Sequence, residues 1–236
     1  MNEWSINDTF SSSTDFYRNI QALYATYGNK IGDYQYQLGL RGEYTDRRIS
    51  NKESDEPLTI NRIDFFPSIH ASRAFRNDHQ VMASYSRRIN RPRGWYLEPF
   101  LTYMNSTTLR RGNSNLEPEY MNSFELGYQK AFGPSFIAFE SYYKNTVNKI
   151  ERIQEVYDRD NGITLMTFDN ISKDHSLGAE FMLNYASLKW LTLNASTSIY
   201  RYRIEGEING VEIDTRSNNW HLRLNSTFNF STKTRL

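Results

Sequence analysis

Between residues 34 and 44 the chain reads YQYQLGLRGEY, and its side chains alternate in character residue by residue. Tyr34, Tyr36, Leu38, Leu40, Gly42 and Tyr44 share one parity, and Gln35, Gln37, Gly39, Arg41 and Glu43 share the other. A β-strand sends successive side chains to opposite faces, so this segment reads as a strand with one apolar and one polar face. Wound as a helix, it would scatter Gln, Arg and Glu around the whole circumference. The pattern returns three times. Phe124, Leu126 and Tyr128 oppose Ser123, Glu125 and Gln129. Leu177, Ala179, Phe181, Leu183 and Tyr185 oppose Ser176, Glu180, Met182 and Asn184. Trp220, Leu222, Leu224, Phe228 and Phe230 oppose His221, Arg223, Asn225, Thr227 and Asn229. Weaker versions at 19–28, 65–76, 79–88, 135–150 and 190–202 bring the expectation to about nine strands and no helix. The fold class is therefore all-β.

The connections alternate in length. Those at 28–33, 76–79, 131–135 and 186–189 are short; those at 49–61, 89–118 and 203–215 are long. The 150–170 stretch reads as two strands running past the others to a tight YDRDNG turn. Short and long connections in turn are the layout of an antiparallel up-and-down barrel with one smooth and one elaborated end, as in transmembrane barrels with short periplasmic turns and longer extracellular loops.

A soluble or surface β-sandwich that binds carbohydrate through its aromatics is the competing architecture, since a sandwich also alternates. Two features favour the membrane barrel. The strands run about 10 to 15 residues, against about 5 to 6 for a soluble strand and about 9 to 11 for a spanning one. Aromatics also bracket aliphatics on the apolar face: Tyr34 and Tyr44 around Leu38 and Leu40, and Trp220 and Phe228 around Leu222 and Leu224. That order is an aromatic girdle at each interface around an aliphatic band, which makes these eight residues the expected lipid-facing set. Gln35, Gln37, Arg41, Glu43, Ser84, Arg88, Glu125, Glu180, Asn184, Arg223 and Asn225 then line the interior. Composition agrees: aromatics make up 15% of the chain, yet the mean hydropathy is −0.72.

The 236 residues carry a formal net charge of +1 and no cysteine. There is no electrostatic case for a nucleic-acid partner, and neither disulfides nor thiolate metal sites are available. No apolar run approaches the roughly 18 residues of a membrane helix, and MNEWSINDTF lacks the basic start and apolar stretch of a signal peptide. An odd strand number and an end at STKTRL, where a turn begins, lead to the expectation of an internal segment of a larger barrel: a loop-like lead-in at 1–16, barrel strands and loops over 17–231, and a truncated turn at 232–236.

Two stretches carry a resemblance. YSRRINRPRGWYLEPF at 85–100 and RRGNSNLEPEYMNSFELGY at 110–128 resemble the barrel domain of TonB-dependent outer-membrane receptors, in the group often labelled the outer-membrane β-barrel family. The matching positions are Arg88, Asn90, Arg91, Pro92, Leu97, Pro99, Phe100, Gly112, Asn113, Asn115, Leu116, Pro118 and Glu119, with Ser114 where Pro is commoner and Glu98 where Asn is commoner. LGLRGEYT at 38–45 and FDNISKDHSLGAE at 168–180 (Asn170, Gly178, Glu180) resemble further family elements. The resemblance implies a barrel of about 22 strands around an N-terminal plug, contact with TonB through the plug, and energy-coupled uptake of siderophores, cobalamin, glycans or peptides. It implies a transporter rather than an enzyme, no cofactor, and as partners the outer-membrane lipid, the plug, TonB and an extracellular nutrient.

The loop NRPRGWYLEPF has two readings. Trp95 and Tyr96 are the candidate ligand contacts, through stacking on a sugar or other ring. The structural reading has Pro92 and Pro99 fixing the backbone and Arg88 and Arg91 pairing with interior carboxylates such as Glu125. A motif shared by receptors with different substrates favours the structural reading. Asn113, Asn115 and Pro118 read as a turn, and Glu119 as an anchor for the plug or loop. YDRDNG lacks EF-hand spacing and reads as a hairpin turn. His70, His79, His175 and His221 have no metal-type spacing, and no GxSxG, HExxH or P-loop is present.

Overall fold

The computed structural model describes residues 13–51, 57–208, 210–231 and 234–235. Most of the expected lead-in at 1–16, part of the 49–61 connection, residue 209 and most of the 232–236 turn lie outside the described residues. Twelve strands follow in chain order: β1 (Thr14–Ile31), β2 (Tyr34–Asn51), β3 (Leu58–Phe75), β4 (His79–Asn90), β5 (Thr102–Asn105), β6 (Thr108–Arg110), β7 (Glu119–Phe132), β8 (Ser135–Asp158), β9 (Ile163–Leu188), β10 (Leu191–Ile208), β11 (Val211–Ser231) and β12 (Thr234–Arg235). β1 starts at Thr14, inside the segment expected to be lead-in. The nine long strands, β1–β4 and β7–β11, correspond to the nine read from alternation. They run from 12 residues in β4 to 26 in β9, longer than expected at the upper end. β1, β2, β3 and β10 have 18 residues each and β11 has 21, and β8 and β9 go furthest because they stay paired beyond their neighbours to Asp158↔Ile163.

All twelve strands belong to one sheet, in the order β1-β2-β3-β4-β7-β8-β9-β10-β11-β12, with β5 and β6 off the path. Each long strand pairs antiparallel with the next. Among the described residues there is no second sheet to cover the apolar face, so the sandwich alternative fails. At one end the turns are tight: Gly32 and Gly133 adopt φ of 60° and 58°, a region that costs residues with a Cβ. At the other end lies the long 91–118 connection, whereas 203–215, expected to be a long connection, is paired strand of β10 and β11 up to Ile208↔Val211. The β3–β4 ladder runs from Phe75↔His79 to Ser68↔Ser86 and stops one residue short of Pro67. Proline has no N–H to give the ladder, so the seam between β3 and β4 opens above it. Tyr120 of β7 reaches across to Asp64, donating its hydroxyl to Oδ1 at 2.6 Å. The guanidiniums of Arg87 and Arg62 lie 4.9 and 5.7 Å from its ring centre.

Register sorts the side chains cleanly. One row of directly opposed residues reads Tyr27, Leu38, Ile69, Tyr85, Phe124, Tyr143, Leu177 from β1 to β9. The neighbouring row reads Gln37, His70, Ser84, Glu125, Tyr142, Gly178, Tyr200, Asn219 from β2 to β11. The first row belongs to an outer face that leaves large apolar groups uncovered, with Leu23 82% and Trp220 77% exposed. All eight residues expected to face lipid share this outer parity. The buried apolar cluster lies elsewhere: Ile49, Leu97, Leu116, Met166 and Phe168, flanked by Leu58, Trp95, Tyr96 and Ile150, gather where the 91–118 connection folds onto the inner face.

Candidate functional site

The 91–118 connection turns inward over the mouth, and its route is set residue by residue. β4 ends at Asn90, and the chain passes Pro92 into a helical turn at Gly94–Tyr96. It then forms the small β5–β6 hairpin and returns along 111–118. The Arg91 guanidinium donates to Oε2 of Glu43 and reaches Thr45 Oγ1 at 3.4 Å. Glu43, only 4% exposed, also takes Arg41 Nε at 2.6 Å. Glu125, the carboxylate expected to pair with Arg91, does not do so. It lies opposite Ser84, seven residues below Arg91 along β4 or about 23 Å of strand. Its carboxylate takes the hydroxyls of Ser84 and Ser123, each at 2.9 Å. Among the described residues Arg88 forms no ion pair.

A second arginine holds the return limb. Arg47, 5% exposed, donates to the carbonyls of Leu116 and Ser114, each at 3.1 Å. Burial, followed by the fields of Arg62 and Arg18, holds its pKa below the ordinary guanidinium value. Gly112 N–H donates to Glu98 O at 2.7 Å and Asn113 N–H to Tyr96 O at 2.7 Å. A Cβ on Gly112 would sit 2.5 Å from Tyr96 O and 2.6 Å from Glu98 O, so only glycine fits. Asn113 closes a turn by accepting the Asn115 N–H (3.0 Å) and donates its amide to Phe168 O (3.1 Å). Ser114 donates its hydroxyl to Leu97 O at 2.8 Å, a bond the commoner proline cannot make.

The limb is then fixed to the far wall. Asn170 accepts the Glu117 N–H at 2.8 Å and donates to the carbonyls of Glu117 and Asn148 at 3.0 and 2.7 Å. Glu119 takes Ile150 N–H on one oxygen (2.8 Å) and the Asn90 amide on the other (2.6 Å). Leu97 and Leu116 are buried in the cluster. Pro92 and Pro118 line a small cavity beside Arg47 and Arg91, and Pro99 and Phe100 are half-buried. Trp95 and Tyr96, the candidate ligand contacts, pack into the loop. Tyr96 stacks on Phe168 (centroids 4.1 Å, 16°), and Trp95 meets both rings edge-on. Arg110 lies over Trp95 at 5.1 Å and bonds Glu98 at 3.0 Å. β6 runs parallel to β9 from Thr108↔Thr164 to Arg110↔Met166.

Sequence reasoning did not find Ile49, Arg47, Asn148, Met166 or Phe168 as members of this site. Ile49 alone left a signal, an apolar side chain on the polar parity of β2. Gly178 and Glu180 lie lower on the inner wall. A Cβ at Gly178 would be 2.6 Å from the Tyr142 ring and 2.7 Å from Tyr200 Cβ, so the glycine is the slot into which the two tyrosines close. Glu180 is directly opposite Glu140. A cavity of about 310 Å³ is lined by Gln35, Gln37, His70, Ser84, Glu125 and Glu140. Among the described residues no group of three or more His, Asp or Glu side chains converges as a metal site would require. No helix among them is long and apolar enough to cross a membrane; the crossing elements are strands.

The sequence matches the outer membrane protein beta-barrel family over residues 1–236. No curated protein matches the sequence significantly. Among solved structures, the siderophore receptor PirA from Pseudomonas aeruginosa is similar with a TM-score of 0.57 at 14% identity, covering 94% of this chain and 52% of that one. A double mutant of the Serratia marcescens hemophore receptor HasR, bound to hemophore HasA and heme, gives 0.63 at 11%, covering 91% and 46%. The copper transporter OprC gives 0.61 at 10%, covering 94% and 41%. The chain thus spans roughly half the length of the structures it matches. The fold is theirs, and with a family match over its whole length the chain belongs to the outer membrane protein beta-barrel family, as a transmembrane β-barrel segment of the bacterial outer membrane.

Proposed function

We propose that this segment is part of the wall of a TonB-dependent receptor that imports a scarce nutrient of the siderophore, glycan, peptide or cobalamin class. On this reading the outer face contacts lipid, the tight turns are periplasmic, and the long connections meet the ligand. The 91–118 loop shapes the mouth, with Trp95 and Tyr96 as its aromatic floor and Arg91, Gly112, Asn113 and Glu119 as its fastenings. The observation that carries the reading is the inner wall. Glu140 and Glu180 are directly opposed, and neither forms an ion pair among the described residues. Like charges placed opposite one another on a sheet destabilise it unless an occupant compensates. A plug with basic side chains, supplied by a further part of the protein, is that occupant. The structural neighbours, described as receptors and a transporter, support the same class. The test is uptake by intact cells carrying the full-length protein, with and without a protonophore. Uptake should cease when the proton-motive force collapses, and Glu140→Gln with Glu180→Gln should loosen the plug. Uptake that persists without proton-motive force overturns the proposal.

A further inference from the structure

Three arginines of the inner wall converge beneath the two limbs of the mouth loop. Arg18 on β1 is directly opposite Arg47 on β2, and Arg62 on β3 is opposite Thr45, one diagonal from Arg47. The loop adds a fourth, Arg91, whose Nη2 lies 3.4 Å from the Thr45 hydroxyl. These four side chains and Thr45 line a cavity of about 20 Å³, together with Pro92 of the outgoing limb and Pro118 of the returning limb. Both prolines are buried, and neither has an N–H to offer. Like charges placed opposite one another on a sheet repel, and the carboxylates nearby are already divided. Glu43 takes Arg41 and Arg91, while Asp64 lies 3.3 Å and Glu117 3.9 Å from Arg62. Among the described residues Arg18 and Arg47 form no ion pair. Arg47 is 5% exposed, commits its terminal nitrogens to the Leu116 and Ser114 carbonyls, and leaves its buried Nε without a hydrogen-bond partner. Arg62 Nε is buried as well, and it meets Asp64 as an ion pair without forming a hydrogen bond. Protein interiors pair their buried donors and neutralise their buried charges, so this site calls for a negative group.

We propose that this chamber binds one monatomic anion, chloride by size, which ties the mouth loop to the wall. A cavity of about 20 Å³ admits one water-sized particle. Phosphate and sulfate carry four oxygens and do not fit, and a side-chain carboxylate would need room for a second oxygen and its stem. Water fits but leaves the guanidinium charges unanswered. The guanidiniums come from four separate segments, β1, β2, β3 and the loop, so one ion among them fastens the loop to three strands together. Burial, followed by the fields of Arg62 and Arg18, already disfavours the charged form of Arg47, and an anion between them relieves that repulsion. The inference concerns what seats the loop and stands apart from what the protein imports.

The test is limited proteolysis of the 91–118 segment in the full-length protein in detergent. Sodium chloride is titrated against sodium gluconate at constant ionic strength, because screening alone alters ion pairs. An ion that binds only the seated loop lowers the open population about eleven-fold at ten times its dissociation constant. Cleavage should slow by about that factor in chloride or bromide, and not in sulfate. Arg18→Gln removes an exposed side chain that makes no hydrogen bond among the described residues, and should raise the chloride midpoint about ten-fold. Arg47→Met should abolish the chloride dependence, whatever its basal rate of cleavage. Arg93→Gln, exposed in the same loop and outside the chamber, should titrate as the wild type does. Equal cleavage of the wild type in chloride and gluconate overturns the proposal and leaves water or a carboxylate from elsewhere in the chain as the occupant. Protection by sulfate equal to that by chloride, or an unchanged midpoint in Arg18→Gln, overturns it as well.

Discussion

Substituting Gly112 by alanine should release the mouth loop while leaving the barrel wall intact. The added Cβ would be 2.5 Å from Tyr96 O, 2.6 Å from Glu98 O and 2.7 Å from Glu98 N, all backbone atoms that no rotamer change can move away. The loop must shift, and its shift breaks two hydrogen bonds, Gly112 N–H to Glu98 O and Asn113 N–H to Tyr96 O, both 2.7 Å. Overpacking costs about 1–3 kcal/mol, and each lost bond about 0.5–1.5 kcal/mol. The docked loop should therefore lose about 2–6 kcal/mol, a rise in the open population of roughly 30-fold to about 25,000-fold. Gly94 is the matched control, because a Cβ there meets nothing within 4 Å in the same loop. Limited proteolysis of the full-length protein in detergent reads the open population of the 91–118 segment when opening is fast relative to cleavage. Gly112→Ala should be cut far faster than wild type, Gly94→Ala at the wild-type rate, and the heat-shifted gel mobility of the folded barrel should be the same in all three. If Gly112→Ala is protected as well as Gly94→Ala, the loop does not seat on the Tyr96–Glu98 backbone.

Arginine at Leu222 or Leu224 should cost about 2–4 kcal/mol each and block assembly into liposomes, whereas His221→Gln, on the inner face of the same strand, should assemble normally. Glu43→Gln should destabilise the mouth by about 3–5 kcal/mol by leaving Arg91 and Arg41 without their shared carboxylate, and a cycle with Arg91→Met should recover most of that loss. Tyr120 titrates at about 12, pushed up first by burial and then by its hydrogen bond to Asp64. The folded state thus favours the protonated phenol, so its contribution is full below about pH 10, fades as pH rises toward about 12, and is absent in Tyr120→Phe; melting curves of the two proteins across that range decide it. Gly178→Ala should cost about 1–3 kcal/mol by pushing Tyr142 and Tyr200 apart, read as a lower melting temperature.

Alternation revealed the wall because strand parity is a local property: Leu38 and Gln37 declare their faces to anyone counting by two. The same logic placed all eight outward residues from Tyr34 to Phe228 and the tight turn at Asp158–Gly162. The mouth was only half legible. The motif residues from Arg91 to Glu119 stood out, but their partners did not, because those contacts join residues far apart in sequence. Arg91 meets Glu43 across 48 positions, and Arg47 meets Leu116 across 69. Glu125 was the nearer carboxylate in sequence, and strand geometry put it far below the rim. Phe168 looked like part of a strand, and nothing local marks it as the ring on which Tyr96 stacks. The tall β8–β9 hairpin matches the reading of two strands running past the others, whereas 203–215 reads as a loop because charged residues crowd it, although Ile204, Ile208, Val211 and Ile213 keep the alternation of a paired hairpin.

The parallel seam between β6 and β9 has a mechanical consequence. The middle of the loop is stitched through β6 to the tall β8–β9 hairpin, and its two ends are riveted to β2, five places away in the sheet order, by Arg91 on Glu43 and by Arg47 on Ser114 and Leu116. The loop is therefore a crossbeam rather than a flap. A load applied to the hairpin is carried across the opening to the opposite wall, and the two sides can part only by shearing the beam from one of its supports.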